Sequence, residues 1–237
     1  MQNLKPQQLM KNIKRIVLNI PHCSTKTIVE EWDSKGIIDE VYKWSDLFAD
    51  ALFEPQLLSS DYDIVSVKGT VSRFTCDFER LVDDPLDKIG QGIIYTQFGN
   101  FKRNISKQRK QEIIDTIYYP YIEQLKSKLT DKSLLIDCHS FPTEVAENID
   151  VNLGFNEDWS KPSDEIIALI GDYFKSNGFN VGVNFPYSNS INPECAFTYP
   201  SIMIELNKKL YLNPDNTLKS NANHLKEKLT TLYRLIL

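Results

Sequence analysis

Residues 16–22 read IVLNIPH, a β-rich apolar run of strand length that stops at Pro21 and is followed at once by His22. The run LLIDCH at residues 134–139 repeats this arrangement, since a short apolar strand there ends at His139. The sequence therefore predicts two histidines just past the carboxyl ends of two strands. Ligands of open α/β sheets gather outside these strand ends.

Helical patterns alternate with strands along the rest of the chain, which is typical of an α/β fold. The predicted helices cover residues 38–58, 106–129, 163–177 and 218–237, and the further strands cover residues 64–67, 181–183 and 201–206. We expect a single domain over residues 1–237, with residues 1–14 as a polar N-terminal extension. Its predicted architecture is a three-layer sandwich with a mixed, largely parallel sheet.

The composition limits the class of partner. The 237 residues are 41% hydrophobic and 25% charged, and 27 Lys+Arg against 32 Asp+Glu give a net charge of −5. This balance does not favour a broad cationic face for nucleic acid or a membrane surface, so we expect a small-molecule partner. No apolar run approaches the roughly 20 residues that span a bilayer, and residues 1–14 do not resemble a signal peptide. We expect a cytoplasmic protein.

Cysteine and histidine usage narrows the candidate sites. The four cysteines form no CxxC pair, which argues against a zinc ribbon or a dense disulfide framework. Of the three histidines, His224 lies on the last predicted helix and is expected at the surface. His22 and His139 are therefore the imidazole candidates for a functional site.

Two histidines and a carboxylate can bind zinc and leave a fourth position open for water. We expect His22 and His139 to supply the nitrogen ligands and Asp46 the oxygen ligand, with one zinc ion per chain. Manganese, cobalt and iron remain alternatives to zinc. The competing candidates for the third ligand are Asp33, Asp50 and Asp137.

Glu205 is a single charge inside the apolar strand SIMIEL, where an unpaired ionised group would be costly. A buried glutamate of this kind can act as the general base on a metal-bound water. The alternatives are an outward-facing edge position or a salt bridge with Lys208 or Lys209.

Arg73 and Arg80 flank Asp77 in one polar segment. A guanidinium group suits both bidentate carboxylate binding and stabilisation of an oxyanion. The alternative is a pair of surface arginines bridged to Asp77 and Glu79.

Taken in order, these motifs resemble the N-formylglutamate amidohydrolase family over roughly residues 16–212. The segments that carry the resemblance are NIPHCS at 19–24, SDLF at 45–48, SRFTCDFER at 72–80, GII at 92–94, IDCHSF at 136–141, NFPYS at 184–188 and ELNKKLY at 205–211.

The resemblance implies a phosphorylase/hydrolase-like α/β fold, shared with zinc carboxypeptidases and aspartoacylases, and metal-dependent cleavage of an N-acyl amide. It implies three metal ligands and a catalytic glutamate, with Arg73 at the oxyanion. Arg80 and Asn184 would bind the substrate, Arg80 through its carboxylate. Carried onto matching positions, the ligands are His22, Asp46 and His139, and the glutamate is Glu205.

The chain departs from the family pattern at two places. The family usually shows Asp-x-Asn-Arg where this chain has DFER at residues 77–80, and Ser-Gly where it has Cys23-Ser24. A negative Glu79 facing the site would repel a dicarboxylate such as formylglutamate. We therefore expect a metal-dependent amidohydrolase acting on a small N-acyl amino acid. The alternatives are a non-catalytic binding descendant of the fold and a carboxypeptidase-like or cell-wall amidase.

Overall fold

A computed structural model describes residues 13–56 and 62–237 of the chain. Residues 1–12, most of the predicted N-terminal extension, lie outside this range, as do the last residues of the helix predicted over 38–58. Across the described ranges, no helix is both long and apolar enough to cross a membrane. The cytoplasmic location and the domain limits of 1–237 stay predictions.

A six-stranded sheet forms the centre of the fold, in the order β2-β1-β5-β8-β6-β7. Its strands are β1 (Arg15–Ile20), β2 (Ile64–Lys68), β5 (Ser133–Phe141), β6 (Val151–Gly154), β7 (Val181–Val183) and β8 (Ser201–Asn207). All neighbouring pairs are parallel except β6 with β8, which is antiparallel. A small antiparallel hairpin joins β3 (Gln97–Phe98) to β4 (Phe101–Lys102). The expected mixed, largely parallel sheet is confirmed.

Helices cover both faces of this sheet. They are α1 (Ile37–Trp44), α2 (Ala49–Phe53), α3 (Lys107–Ile113), α4 (Tyr119–Lys128), α5 (Asp164–Ser176) and α6 (Ala222–Ile236). One core cluster contains buried residues of α2, α5 and α6, and a second contains buried residues of α3 and α4. The three-layer sandwich expected from the sequence is confirmed.

Strand alternation separates the two cores. In β1, Ile16 and Leu18 belong to the first core while Val17 belongs to the second, because successive side chains of a strand point to opposite faces. In β5, Ile136 belongs to the first core and Leu135 to the second. Alternation along each strand places four polar residues on the face of the second core, towards the carboxyl ends of the strands: Asn19, Asp137, His139 and Glu205.

The prediction of one helix over residues 38–58 is wrong, because the chain forms two short helices with a break between them. Ser45 at the end of α1 is extended, and Phe48 before α2 has φ 62°, in the left-handed region. The Asp46 N–H donates to the carbonyl of His22 at 2.8 Å, which ties the break to the loop after β1. Asp46 therefore lies in a buried turn.

Strand β5 is longer than the sequence predicts, so His139 lies within it and not beyond its end. The reason is pairing with β8, which continues through His139 opposite Glu205 to Phe141 opposite Asn207. The sequence prediction also missed β6, whose Asn152 pairs with Glu205 from the other side.

Other predicted elements are confirmed with small changes. Ser106 begins the helical segment by accepting a hydrogen bond from the Arg109 N–H, and a π-helical stretch at Ile114–Tyr118 joins α3 to α4. This stretch directly precedes Pro120, whose nitrogen cannot donate a hydrogen bond to the preceding turn. The last helix begins at Ala222, four residues later than expected.

Candidate active site

Three side chains that could hold a metal ion meet at the carboxyl ends of β1 and β5. His22, Asp46 and His139 each offer a ligand atom, and these atoms lie within 4.8 Å of one another. The Asp46 Oδ2 atom lies 3.8 Å from His22 Nδ1 and 3.1 Å from His139 Nδ1. All three residues are buried. The structure thus brings together the three residues predicted as ligands.

Local structure explains why these residues meet. His22 lies two residues after β1, and its carbonyl accepts the Asp46 N–H. The Ser140 hydroxyl, next to His139 on β5, donates to Asp46 Oδ1 at 3.0 Å. Asp46 is therefore held from both strand ends.

A buried carboxylate orients His22. The Nε2 atom of His22 lies 2.8 Å from Asp77 Oδ1. Asp77 also accepts hydrogen bonds from the Tyr95 hydroxyl at 2.7 Å and the Glu79 N–H at 3.0 Å. Burial alone would raise the pKa of Asp77, but His22 and the nearby arginines outweigh it and hold that pKa far below its usual range. An ionised Asp77 keeps the proton on Nε2 of His22 and leaves Nδ1 as the ligand atom.

A second buried carboxylate lies close to His139, although within the described residues Nε2 of His139 makes no hydrogen bond of suitable geometry. The Nε2 atom of His139 lies 3.0 Å from Asp137 Oδ1, and Asp137 is held by the Asn19 amide at 2.8 Å and the Ile191 N–H at 3.1 Å. Burial alone would lower the pKa of His139, but Asp137 and Asp46 outweigh it and raise that pKa well above its usual value. In both histidines Nδ1 faces Asp46 while Nε2 faces a separate buried carboxylate.

These donors fit a divalent cation. Two imidazole nitrogens and one carboxylate oxygen form a common catalytic zinc ligand set, and carboxylates behind the histidines are typical second partners of such ligands. Burial and Arg73 lower the pKa of His22 to about 4, so its imidazole is neutral at pH 7, whereas His139, whose pKa Asp137 and Asp46 raise, would have to release a proton when a cation binds. Several buried carboxylates around the group also favour a positive charge there.

Glu205 lies beside this group with one free oxygen. Its Oε2 atom is buried and has no hydrogen-bond partner within the described residues, and burial raises the pKa of Glu205 to about 8. The alternative of a salt bridge is not found in the described structure. Lys208 donates to the carbonyls of Lys43 and Ser45, and Lys209 pairs with Asp150.

Arg73 is half-buried within the site and is not a surface arginine. Its guanidinium donates to His22 Nδ1, the atom that faces Asp46. A metal ion held by Nδ1 would take this lone pair and leave the guanidinium free for a substrate oxygen. The Nε atom of Arg73 is also buried without a partner in the described part of the chain.

Arg80 is anchored through its Nε atom. Its Nε donates to the Gln91 carbonyl at 3.2 Å and lies 3.8 Å from Asp77 Oδ2. Within the described residues, its terminal nitrogens donate no hydrogen bond to the protein. Because the side chain is 22% exposed, these nitrogens are available to an anionic ligand.

The structure gives Asn184 a different position from the other predicted residues. Its side-chain oxygen accepts the Phe155 N–H at 3.0 Å, and Asn184 is not among the residues that line the cavity at the site. Tyr187, three residues further on, does line that cavity. A substrate-binding role for Asn184 stays a prediction.

Glu79, where the family pattern has Asn, lies behind His139. Its Oε1 accepts the Asn19 amide at 2.8 Å and lies 3.7 Å from His139 Nε2. With Asp137 and His139 it forms a second group that could hold a metal, but this group shares His139 with the first. Burial and the neighbouring Asp137 raise the pKa of Glu79 well above its usual value, which reduces the negative charge that the sequence led us to expect there.

A cavity of about 760 Å³ opens over these residues. Its lining includes the histidine pair, Glu205 and both arginines. The cavity therefore lies over residues that the sequence predicts for the functional site. The surface position expected for His224 is confirmed by its 67% exposed side chain, and the four cysteines are free.

Sequence reasoning missed the supporting roles of Asp77 and Asp137. The sequence suggests Asp137 only as a competing ligand and Asp77 only as a partner of surface arginines. Asp137 carried a usable signal, since it is a single charge in the apolar strand LLIDC, like Glu205 in its own strand. Asp77 carried a weaker one, as an acid between Cys76 and Phe78, which are both buried.

Comparison with known sequences gives a family match for this chain. The sequence model of the N-formylglutamate amidohydrolase family matches residues 14–212. The chain is similar to the crystal structure of an N-formylglutamate amidohydrolase from Ralstonia eutropha JMP134, with a TM-score of 0.75, 19% identity, and coverage of 94% of this chain and 93% of the other.

A gene product from Agrobacterium tumefaciens is also similar in structure, with a TM-score of 0.62, 12% identity, and coverage of 94% of this chain and 92% of the other. A search of curated proteins finds no match. The two structural similarities show the fold, and the family match extends over every residue of the candidate site. The chain therefore belongs to the N-formylglutamate amidohydrolase family.

Proposed function

We propose that this protein is a zinc-dependent amidohydrolase that cleaves the amide bond of a small N-acyl amino acid, with the formyl group as the first acyl group to test. The observation that carries the proposal is the convergence of two histidine Nδ1 atoms on Asp46, each histidine having a buried carboxylate at its Nε2. A binding protein has no need for this arrangement together with an unpartnered Glu205.

His22, Asp46 and His139 would hold the metal ion. A zinc ion in such a site lowers the pKa of a bound water to near 7 and polarises a carbonyl group. The residues of the chain must then move a proton and stabilise charge on the substrate.

Glu205 suits the proton transfer. Its Oε2 atom is free to accept a proton from the attacking water and to return it to the leaving nitrogen. Its pKa of about 8 without a metal ion would fall beside a bound cation, since a nearby positive charge favours the carboxylate. The ionised form needed for a base is thereby favoured when the site is loaded.

The two arginines suit separate parts of the substrate. Arg73, beside His22, can stabilise the negative charge that develops on the carbonyl oxygen. Arg80, with its free terminal nitrogens, can bind the substrate carboxylate through two parallel hydrogen bonds. The substrate we propose therefore carries a carboxylate next to the amide.

Metal analysis of the purified, untagged protein tests the proposal. We expect about one zinc ion per chain in the wild type and in His224→Ala, a matched histidine variant at the surface, and none in His22→Ala. The zinc-loaded wild type should hydrolyse N-formyl amino acids, and a chelator should stop it. Absence of metal after zinc is offered and dialysed away would contradict the hydrolase and favour a non-catalytic binding protein.

A further inference from the structure

The cavity over the candidate site contains few positive groups. Of the described residues that line it, Arg73 and Arg80 are the only lysines or arginines. Arg73 is assigned above to the carbonyl oxygen of the substrate, so Arg80 is the one cation of the described lining that remains for a carboxylate. An amino acid substrate with two carboxylates would have a partner for only one of them.

Two acids that follow Arg80 closely in the sequence line the same cavity. Asp83 and Asp84 follow it by three and four residues and both line the cavity. Asp84 is fixed in place, since its Oδ1 accepts the Leu86 N–H at 2.8 Å. A second carboxylate bound near Arg80 would approach these acids, and like charges oppose binding.

Large apolar side chains also line the cavity. Leu81 and Val82 lie between Arg80 and the two acids, and they are 41% and 63% exposed. Trp44 and Phe98 line the same cavity and pack edge to face, with ring centroids 6.1 Å apart. Large exposed apolar side chains of this kind are suited to cover the uncharged part of a ligand.

We propose that the site selects N-acyl amino acids with one carboxylate and an uncharged side chain, and that it discriminates against a second carboxylate on the substrate. Arg80 binds the single carboxylate, and the cavity lacks a cation for another while presenting Asp83 and Asp84. This inference rests on the proposed function, and it names the substrate class within it. Formylglutamate, the dicarboxylate of the family name, is thus expected to be a poor substrate.

Two substrates of nearly the same shape can show the effect of the side-chain charge alone. N-formyl-L-glutamine and N-formyl-L-glutamate differ by an amide in place of the side-chain carboxylate. With the zinc-loaded protein we expect kcat/KM to be about 10-fold or more higher for the glutamine compound, since a second carboxylate would meet Asp83 and Asp84 with no further cation of the described lining to pair with. A kcat/KM for the glutamate compound equal to or above that for the glutamine compound would overturn the proposal.

The double variant D83N/D84N tests the acids without removing their local roles. Asparagine tolerates the positive φ of 66° at position 83, and an asparagine oxygen at position 84 can still accept the Leu86 N–H. We expect the preference for glutamine over glutamate to shrink about threefold or more, while D172N, at a surface aspartate with a 77% exposed side chain outside the cavity, leaves it unchanged. An unchanged preference in D83N/D84N would contradict the part assigned to these acids.

Calorimetric binding of the same two compounds separates this inference from the proposed function. If neither compound is hydrolysed, the proposed function fails, and binding alone decides the selectivity. Tighter binding of the glutamine compound supports the proposal. Equal or tighter binding of the glutamate compound, or no binding of either, overturns it.

Discussion

Glu205 on β8 lies directly opposite His139 on β5 in the parallel register of the sheet. Both residues belong to the face that carries Asn19 and Asp137, because alternate residues of a strand share a face. The sheet itself therefore places the candidate base beside a candidate metal ligand. His22, Asp46 and Arg73 reach this group from loops.

Glu205 is not one of the three predicted metal ligands, so its role can be tested separately from metal binding. Glu205→Gln keeps the shape of the side chain but removes the carboxylate that would accept a proton. We expect kcat to fall about 100-fold or more while zinc content stays at that of the wild type, since positioned bases contribute roughly 10²–10⁴-fold. Kinetics and metal analysis on the same sample would measure both. Wild-type turnover in this variant would remove Glu205 from the base role.

Asp77 should affect zinc affinity and not zinc stoichiometry. Its Oδ1 atom lies 2.8 Å from Nε2 of His22 and favours a proton on that nitrogen. Asp77→Asn would allow the ring to carry its proton on Nδ1, the nitrogen needed as the metal ligand. We expect zinc affinity to fall about 10- to 100-fold, as for other carboxylates behind metal-bound histidines. Competition with a chromophoric chelator gives the dissociation constant. D172N serves as the control, and an unchanged affinity in Asp77→Asn would show that His22 does not need this partner.

Much of the fold could be read from periodicity. Residues 16–18 and 134–136 form uniformly apolar runs, and only a sheet covered on both faces gives such runs a buried place. The break at Asp46 could not be read, because apolar residues keep helical spacing on both sides of it. The position of the break depends on a tertiary contact, the hydrogen bond from the Asp46 N–H to the carbonyl of His22.

The ligand residues could be predicted, but their support could not. His22 and His139 stood out because the chain has so few histidines and both follow apolar runs. His22 and Asp77 are 55 residues apart in the sequence. No local sequence pattern indicates which of the many acids in the chain will contact His22 in the folded protein. Long-range contacts of this kind need the folded chain.

Arg80 should control substrate affinity more than the chemical step. Its terminal nitrogens are free and its Nε is fixed by the Gln91 carbonyl. We expect Arg80→Gln to lower kcat/KM about 10- to 100-fold, mostly through KM, since hydrogen bonds to charged groups contribute about 1.5–3 kcal/mol. Arg80→Lys should recover part of the loss, because lysine keeps the charge but not the bidentate geometry. A loss confined to kcat would contradict carboxylate binding by Arg80.

The ion pair between Glu54 and Lys68 should make a small, pH-dependent contribution to stability. Burial alone would raise the pKa of Glu54, but hydrogen bonds from Lys68 at 2.7 Å and Ser66 at 3.0 Å outweigh it and lower that pKa. A lowered pKa in the folded state stabilises the protein above the unfolded value of about 4.3, and this contribution is lost as the pH falls further.

Glu54→Gln should therefore lower the melting temperature near pH 7, and its difference from the wild type should shrink below about pH 4. Both side chains are more than a third exposed, so the effect is expected to stay under about 1 kcal/mol. Thermal melts of Glu54→Gln, Lys68→Met and the double variant form the cycle that measures the pair. Additive effects of the two substitutions would show that the pair contributes nothing.

Zinc should stabilise the folded chain through His22, Asp46 and His139. These residues and the carboxylates behind them are buried, so a bound cation relieves repulsion that the folded state otherwise carries. A ligand at 100 times its dissociation constant adds about 2.7 kcal/mol, which for a domain of this size corresponds to a rise of roughly 5–10 °C in melting temperature. We expect this rise in the wild type and in His224→Ala, and none in His22→Ala. An equal rise in His22→Ala would place the zinc ion elsewhere, because that variant lacks one of the two imidazole ligands.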